Sequence, residues 1–405
     1  MTESIAATDT ESGFPAPRGC PFHTEAPYRD LREERPISKV MLPSGREAWL
    51  LTRHEDVRAM LADPRFSADR RKPGFPLFVP GQNAFRRQAP SMITLDGAAH
   101  SAARRLVISE FSVKRVNALA PRIQQIVDRF VDELLAAPKP ADLVQSLSLP
   151  VPSLVICELL GVPYADHDYF QSRTTRLIRR TISADERYRV VDEIRDYLAG
   201  LVTEKIANPP EDLLGRQIRR QLDEHGDTDL ESLTSLAFLL LLAGHETTAN
   251  MISLGVLALL THPDQLAELQ ADPARTPLAV EELLRYFTIA EVVTSRIAET
   301  DVELGGVLIR AGEGVVGDAL SANRDDRAFG DPEALDLDRG SRNHVAFGFG
   351  PHQCLGQNLA RKELQIVFDT LFQRVPTLSL AADPEDLPYK DDATIYGVYQ
   401  LPVTW

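Results

Sequence analysis

The hydrophobic pattern along the chain predicts a mainly helical protein with small β-sheets. His54 to Leu61 has helical spacing and directly follows the strand-like segment Glu47 to Leu51. Gly305-Gly306 separates two short strand-like segments, which predicts a hairpin. Tyr396 to Trp405 alternates like a final strand, with Pro402 near a sheet edge. We therefore expect an α+β fold, mainly α with small and mostly antiparallel β-sheets.

The longest apolar segment runs from about Asp229 to Thr261, and a single polar group, AGHETT at residues 243–248, interrupts it. A helix of about 30 residues that is apolar on nearly every side spans roughly 45 Å and has to be buried. The sequence therefore predicts one long central helix, which ends at His262-Pro263.

No long linker divides the chain. Residues 1–20 are rich in Ser, Thr, Pro and Gly and are predicted to form a flexible leader, so that residues 21–405 form a single domain. Lys72 to Pro90 contains too many Pro and Gly for a regular helix and too many aromatic residues for a solvated loop. We expect this stretch to be a lid or a wall of a binding site.

Composition excludes several classes of protein. The 405 residues are 43% hydrophobic and 25% charged, and 59 acidic against 44 basic side chains give a net charge of −15. Such a charge disfavours binding to nucleic acid or anionic lipid. No signal peptide is recognisable, and no apolar run approaches the roughly 20 residues of a membrane helix. With three scattered cysteines, the sequence predicts a reduced, cytoplasmic protein without a membrane partner.

The strongest chemical signal is the sequence FGFGPHQCLG at residues 347–356, which precedes a helical segment. Its glycines permit a tight turn that directs backbone amides at the sulfur of Cys354, and a helix N-terminus favours a thiolate. This arrangement suits a soft, anionic metal ligand. The alternative is a buried cysteine packed as a small hydrophobic residue, which does not require surrounding glycines.

This segment resembles the haem-ligand loop of cytochromes P450, F-x-x-G-x-x-x-C-x-G, and the resemblance extends from about Pro36 to Trp405. It is closest to the soluble, ferredoxin-dependent enzymes of actinobacteria. The resemblance implies haem b as the cofactor and Cys354 as the thiolate ligand of the iron. The loop residues that it assigns to the cofactor are Phe347, Gly348, His352, Cys354 and Gly356.

Glu282 and Arg285 lie three residues apart and share one helix face. Taken alone, such a pair would be a solvated ion pair of little energetic value. The family resemblance implies instead a buried Glu-x-x-Arg pair that Arg339 joins. We therefore assign these three residues to structure and haem incorporation.

The polar group in the long helix needs an explanation, because burying the carboxylate of Glu246 is costly unless a partner pairs with it. One alternative is a helix kink with Glu246 bound to a distant arginine, since threonine hydroxyls bend helices. The resemblance implies more: Glu246 and Thr247 match the acid–alcohol pair that delivers protons during dioxygen activation. Ala243 and Gly244 are then expected to leave room for O2.

The carboxylates of a haem require cations. His100 and Arg104 share a helix face, and the resemblance adds Arg296 and His352, although each residue alone would be read as surface charge. By matching positions, we predict an apolar substrate pocket, with core packing as the alternative for Leu239 and Val293. The predicted pocket residues are Phe78, Phe85, Met92, Leu239, Val292, Val293, Thr394 and Ile395.

Electrons have to come from outside, because no G-x-G-x-x-G motif follows a predicted strand. The resemblance implies NAD(P)H, a ferredoxin reductase and a ferredoxin. Basic residues near the ligand loop and the preceding helix are predicted to bind an acidic ferredoxin, with ordinary solvated helix faces as the alternative. These residues are Arg104, Arg105, Lys114, Arg115, Arg339, Arg342, His344, Arg361 and Lys362.

The predicted function is that of a monomeric haem-thiolate monooxygenase that hydroxylates or epoxidises a lipophilic small molecule. Polyketides, macrolides, terpenoids, sterol-like compounds and xenobiotics all agree with the resemblance. Two other classes stay open. A haem-thiolate sensor would not need Glu246 and Thr247, and a peroxygenase would turn over with hydrogen peroxide alone.

Overall fold

A computed structural model of the protein describes residues 14–16, 18–22, 27–81, 90–292 and 294–405, and helices dominate it. The α-helices are α1 (Pro27–Glu34), α2 (His54–Ala62), α3 (Gly97–Val107), α4 (Val113–Ala136), α5 (Pro150–Leu160), α6 (His167–Ile178), α7 (Ala184–Ala207), α8 (Leu213–His225), α9 (Leu230–Gly244), α10 (Glu246–Thr261), α11 (Pro263–Ala271), α12 (Thr276–Phe287), α13 (Ala319–Ala322) and α14 (Gln357–Arg374). None of the helices in these ranges has the length and apolar character needed to cross a membrane.

The strands are short and form small sheets, as the sequence predicts. They are β1 (Ile37–Met41), β2 (Glu47–Leu51), β3 (Phe66–Ser67), β4 (Ala141–Asp142), β5 (Ser295–Ala298), β6 (Val302–Leu304), β7 (Val307–Ile309), β8 (Gly314–Gly317), β9 (Ser379–Leu380) and β10 (Pro402–Thr404). One sheet has the order β1-β2-β8-β5-β3, a second has the order β4-β10-β9, and β6 and β7 form the predicted hairpin. The pairing of β2 with β8 is parallel and the other strand pairs are antiparallel.

The long apolar segment is two helices, not the single helix that we predicted. α9 ends at Gly244 and α10 begins at Glu246, so His245 lies at the break. The imidazole of His245 contacts the carbonyl of Leu241 at 2.9 Å and Thr174 Oγ1 at 2.8 Å. Polar side chains that bond to the preceding turn compete with the regular helix, which explains an interruption at this polar group.

α14 occupies the centre of the helical part, where it packs against α4, α10 and α12. The first residue of α14, Gln357, lies three positions after Cys354. The packing is close, because a Cβ placed on Gly255 of α10 would lie 2.4 Å from the ring of Phe368 on α14. The Cys354 loop is therefore fixed to the core through the helix that follows it.

The predicted flexible leader needs correction at its end. Arg18 and Gly19, which we predicted to lie in a flexible leader, instead bind the body of the protein. Arg18 donates to the carbonyls of Phe287 and Thr288 at 2.6 and 3.2 Å. Residues 1–13 and 17 lie outside the described residues.

The final strand is shorter than predicted, and it lies between β4 and β9 rather than at an edge. Pro402 is tolerated there because it is the first residue of the strand. Its carbonyl accepts a hydrogen bond of 2.9 Å from the backbone N–H of Ala381.

The predicted lid is described only in part. Residues 72–81 contain no helix or strand, as expected, and residues 82–89 lie outside the described residues. Phe75 and Phe78 are buried, so this half of the stretch forms a wall that packs on the fold.

Candidate active site

The Cys354 loop is a tight turn held by its own backbone. The N–H of Cys354 donates to the carbonyl of Phe347 at 2.8 Å, and the N–H of Gln353 donates to Gly350 at 3.0 Å. Gly350 has a φ of +70°, and a Cβ on it would lie 2.6 Å from the carbonyl oxygen of Leu61 at the end of α2. Only glycine fits this position, because both the conformation and the close approach exclude a side chain.

The sulfur of Cys354 lies among donors. Burial raises the pKa of Cys354, whereas the backbone N–H groups of Gly356 and Gln357 and the charge of Arg104 act in the opposite direction. A Cβ on Gly356 would meet nothing within 4 Å, so the loop is open at this position. Cys354 is a free, half-buried cysteine with convergent donors, which fits a metal-ligating thiolate, because a bound cation deprotonates its thiol ligand.

The four predicted haem-carboxylate ligands lie together. The rings of His100 and His352 are 4.1 Å apart between centroids. Arg104 donates to the carbonyl of Gln353 at 2.7 Å, which brings α3 to the Cys354 loop. The Nε2 atom of His100 is buried and has no hydrogen-bond partner within the described part of the chain.

The charges of this basic cluster oppose one another. Burial, Arg296 and His100 lower the pKa of His352 to about 4, and burial and the neighbouring Arg70 lower the pKa of Arg296 to about 10. The carboxylate of Asp96 lies 3.7 Å from His352. An anion stabilises the buried arginines, and neutral imidazoles can donate an N–H to it, so the cluster fits the two carboxylates of a haem beside the Cys354 loop. The sequence analysis missed Arg70, because no spacing relates it to Arg296.

Glu246 is buried and has specific partners. Its carboxylate lies 3.4 Å from Nζ of Lys390, and it accepts a hydrogen bond from the hydroxyl of Thr175. Lys390 also donates to Oδ1 of Asn250 at 2.8 Å. The arginine partner that we weighed for Glu246 is therefore wrong, since a lysine 144 residues away provides the charge. No sequence pattern marked Lys390, because the contact depends on tertiary packing.

Lys390 determines the protonation of this carboxyl group. Burial raises the pKa of Glu246, but the charges of Lys390 and His245 outweigh burial and leave the pKa below its usual value. The group is therefore held as a carboxylate at neutral pH. A buried carboxylate that has one cation and one hydroxyl as partners can accept and release a proton when those contacts change.

Thr247 lies on the open side of the helix break. Its hydroxyl donates to the carbonyl of Ala243 at 2.7 Å, and Ala243 is exposed. A Cβ on Gly244 would lie 2.9 Å from the side chain of Ile156 on α5, so Gly244 allows close packing against α5. Ala243 and Thr247 are the two residues of the group with accessible surface on this side.

The predicted structural residues form a buried network. Arg285 donates to Glu282 through Nε at 2.8 Å and Nη2 at 2.7 Å, and both side chains are 0% exposed. Arg339 reaches the same carboxylate at 3.2 Å. Arg285 also donates to the carbonyls of Asn323 and Pro332 at 2.8 and 2.9 Å. This pattern joins α12 to the segment that leads into the Cys354 loop.

The predicted substrate residues do not share one environment. Two of them, Phe85 and Val293, lie outside the described residues. Phe78 and Val292 share a small apolar cluster with Val40, Leu50 and Val316, and Met92 and Ile395 are buried elsewhere. Leu239 and Thr394 are half-buried.

The surroundings of Thr394 are more polar than we expected. Thr394 lines a small cavity together with Arg180, Glu291 and Lys390. The predicted pocket was apolar. The charged side chains belong to three separate segments of the chain, which position matching did not identify.

The basic residues predicted to bind a ferredoxin do not form one free patch. Arg361 and His344 contact the buried Glu281 at 2.6 and 3.1 Å, and Arg339 belongs to the Glu282 network. Arg115 lies 3.6 Å from Glu110. Arg339, His344 and Arg361 are therefore engaged inside the protein, whereas Arg115 forms an ion pair at the surface. The exposed members of the predicted set are Arg105, Lys114 and Arg342.

Comparison with known proteins identifies the family to which the chain belongs. The cytochrome P450 family model matches residues 28–390. A vitamin D3 dihydroxylase of Streptomyces griseolus is 47% identical over 408 residues, covering 100% of both proteins. The crystal structure of cytochrome P450 MoxA from Nonomuraea recticatena superposes with a TM-score of 0.90 and 61% identity over 97% of this chain and 98% of that one.

A second solved structure shows the same architecture with a ligand. The mycinamicin VIII C21 methyl hydroxylase MycCI of Micromonospora griseorubida, bound to mycinamicin VIII, has a TM-score of 0.92 and 40% identity, covering 97% of this chain and 100% of that one. The range matched by the family model includes the Cys354 loop, the Glu282 network and the helix break at His245. The chain belongs to the cytochrome P450 family of haem-iron monooxygenases.

Proposed function

We propose that this protein uses haem b, with Cys354 as its thiolate ligand, to insert one oxygen atom of O2 into a lipophilic small molecule by hydroxylation or epoxidation. The observation that carries the proposal is the buried Glu246 beside Thr247 at the helix break. When bound, the haem iron activates O2 so that one of its oxygen atoms can pass to the substrate. Relatives named for vitamin D3 and mycinamicin VIII support a polycyclic or macrocyclic substrate class.

The chain itself supplies binding and orientation. His100, Arg104, Arg296 and His352 would hold the two haem carboxylates: the two arginines supply positive charge, and the two imidazoles, whose pKa values are lowered by burial and by neighbouring cations, are neutral and can each donate an N–H. The amides of Gly356 and Gln357 would stabilise negative charge on the sulfur of Cys354. These contacts would hold the cofactor through its carboxylates and through the sulfur of Cys354.

Proton delivery would use Glu246 and Thr247. Lys390 holds Glu246 as a carboxylate, and Thr175 donates to that carboxylate. The hydroxyl of Thr247 donates to the carbonyl of Ala243, so its lone pairs are available to accept a proton on the open side. A proton taken up by Glu246 can therefore move towards the open side when the contact with Lys390 loosens.

Removing either member of this pair is expected to separate electron consumption from product formation. In Glu246→Gln and Thr247→Ala, haem content should stay at the wild-type value, while product per NADH falls about tenfold and peroxide rises, because proton transfer typically contributes 10²–10⁴-fold. The assay measures NADH, peroxide and product with a compound chosen by absorption titration, starting with vitamin D3 and mycinamicin VIII.

Thr261→Ala is the matched control, because Thr261 makes the same kind of bond to its preceding turn at the far end of α10. It should behave as the wild type. If Glu246→Gln and Thr247→Ala both keep the wild-type yield of product per NADH, the proton-delivery assignment is wrong. Turnover with hydrogen peroxide alone at the full rate would favour the peroxygenase alternative.

Lys390 should contribute strongly to stability at neutral pH. Lys390→Met leaves the buried Glu246 carboxylate without its cation, which is expected to cost about 3–5 kcal/mol. Because the folded-state pKa of Glu246 is lowered, the pair stabilises the fold above the usual pKa of Glu. This contribution is lost as pH falls through the lowered value. In the variant, burial acts without this opposing charge and raises the pKa of Glu246, so protonation relieves the unpaired charge at low pH, and the loss should be larger at about pH 7.5 than at about pH 5.

Urea unfolding at both pH values measures this effect. Lys39→Met is the control, because Lys39 is 43% exposed and forms surface ion pairs, which are worth about 0–1 kcal/mol. An equal loss of stability at both pH values would contradict the electrostatic explanation. A loss as small as that of the control would do the same.

We also propose that an acidic ferredoxin, reduced by NAD(P)H through a ferredoxin reductase, docks at the surface formed by Arg105 and Lys114 between α3 and α4. Both side chains are exposed, and the exposed apolar residues Leu106, Ile108 and Val113 lie between them in sequence. A cationic rim around apolar contacts suits an acidic partner. Arg104 extends from the same helix to the Cys354 loop, which places this surface close to the site of reduction.

Reversing these charges should slow reduction. The double variant Arg105→Glu/Lys114→Glu is expected to lower the second-order rate of reduction by ferredoxin on the order of tenfold at low salt, with a weaker salt dependence. Arg46→Glu, in the turn between β1 and β2, is an exposed control that should change little. Stopped-flow reduction at two ionic strengths measures both rates, and equal slowing by the two variants would remove the assignment.

We further propose that the protein acts as one monomeric domain in the cytoplasm, with Arg18 and Gly19 as part of that domain. The three cysteines are free thiols, which supports a reducing compartment.

A further inference from the structure

A buried carboxyl group next to the Glu282 network has no role in the chemistry described above. The side chain of Glu281 is 1% exposed. It accepts hydrogen bonds from Nε and Nη2 of Arg361 at 2.6 and 3.0 Å, and His344 Nε2 lies 3.1 Å away. Burial raises the pKa of Glu281, but His344 and Arg361 outweigh burial and hold it at about 2. Glu281 is therefore a carboxylate throughout the physiological range.

Its partner Arg361 lies beside the Cys354 loop. Arg361 follows Cys354 by seven residues on α14, and its guanidinium is 4.7 Å from the ring centroid of Phe347. The carbonyl of Phe347 accepts the backbone hydrogen bond of Cys354 at 2.8 Å. Nη1 of Arg361 donates to the side chain of Gln357 at 2.9 Å. Two residues next to the sulfur in the fold are thus in contact with this guanidinium.

The charge of Arg361 lies close to Cys354, because its guanidinium contacts both Phe347 and Gln357, which flank Cys354 in the loop and at the start of α14. Inside a protein, a single charge at this range interacts more strongly than it would in water. A guanidinium paired with a carboxylate is a dipole, whereas an unpaired guanidinium would present a full positive charge to the loop. The carboxylate of Glu281 therefore limits the field that Arg361 exerts.

We propose that Glu281 is a positioning residue that holds Arg361 over Phe347 and thereby sets the electrostatic field at the Cys354 thiolate. The inference rests on the proposed haem-thiolate function. His344 ties the carboxylate to the loop itself, because its Nδ1 accepts the backbone N–H of Ala346 at 3.3 Å. The carboxylate is therefore bound from the loop and from α14 at once.

The test compares reduction potentials of haem-loaded variants whose charges change in opposite directions. Glu281→Gln keeps the shape and leaves Arg361 uncompensated, so the added positive field should stabilise the more negative reduced state and raise the potential. Arg361→Gln should lower the potential, because Glu281 then loses its main cation. The double variant Glu281→Gln/Arg361→Gln should lie closer to the wild type than either single variant does.

Glu268→Gln is the control, because Glu268 pairs with Arg275 at the surface, and it should leave the potential unchanged. Shifts of the same sign in both single variants, or no shift in either, would overturn the inference and leave Glu281 as a packing residue. If Glu281→Gln fails to bind haem, Arg361→Gln is compared with Arg361→Lys, which keeps the charge. Arg361→Gln should have the lower potential of the two, and equal potentials would overturn the inference.

The failure of this inference can be told from failure of the proposed function. A wild-type protein whose reduced carbon-monoxide spectrum lacks thiolate character would contradict the function itself. A wild type with thiolate character whose variants show no opposite shifts would contradict only the role of Glu281.

Discussion

Replacing Cys354 by serine is expected to abolish monooxygenase turnover, lowering the rate by at least about 1,000-fold, which corresponds to about 4 kcal/mol in the activation barrier. A thiolate is a soft, anionic donor, whereas a serine hydroxyl stays protonated at neutral pH and is a poor ligand for iron. The amides of Gly356 and Gln357 are arranged around a sulfur, and they do not change the acidity of an alcohol enough to compensate.

The reduced carbon-monoxide spectrum and the consumption of NADH with substrate measure this loss. The variant should lose the thiolate-type spectrum even if haem remains bound to the basic cluster. Cys157→Ala is the control, because Cys157 is buried in α5 and burial raises its pKa to about 12, so it remains an unreactive thiol. A Cys354→Ser protein with wild-type turnover would show that Cys354 is not the ligand.

Arg285→Leu is expected to prevent accumulation of folded, haem-loaded protein. The variant leaves the carboxylate of Glu282, which is 0% exposed, without its bidentate partner, and removing one member of a buried pair costs about 3–5 kcal/mol. Arg285 also satisfies the carbonyls of Asn323 and Pro332, which adds to the loss. A total in this range is a large fraction of the roughly 5–15 kcal/mol that stabilises a typical domain.

Haem content per folded protein and the urea unfolding midpoint test this prediction. Arg275→Leu is the matched control, because Arg275 precedes α12 and pairs with the exposed Asp338 and Glu268. Surface pairs contribute about 0–1 kcal/mol, so this variant should fold and bind haem normally. Equal stability of the two variants would contradict a structural role for the Glu282 network.

Local features of the fold were predictable from the sequence. The β2 strand, the α2 helix and the β6–β7 hairpin depend on short-range patterns of apolar residues and on glycine, so the sequence predicts them correctly. The Cys354 turn was predictable for the same reason, since Gly350 carries the conformation that the turn requires. The grouping of His100 with His352 followed from family resemblance, not from spacing.

Features that depend on distant contacts were not predictable. The helix break at His245 arises because its imidazole bonds to α6 through Thr174, which a periodicity analysis does not detect. Lys390 was missed for the same reason, since packing alone brings it to Glu246. Arg361 was predicted to belong to a basic surface that binds a ferredoxin, but it pairs with the buried Glu281. A sequence pattern therefore gives the least information about the environment of charged residues.

Mass spectrometry of the product formed under isotopically labelled dioxygen tests most directly whether the protein inserts an oxygen atom of O2 into its substrate. The haem-loaded protein, a ferredoxin, its reductase and NADH are incubated with a compound that shifts the haem absorption, starting with vitamin D3 and mycinamicin VIII. A monooxygenase should give a product that carries one labelled oxygen atom, and no product should form without the electron donor. Product whose added oxygen comes from water, or that forms at the same rate without O2, would contradict it.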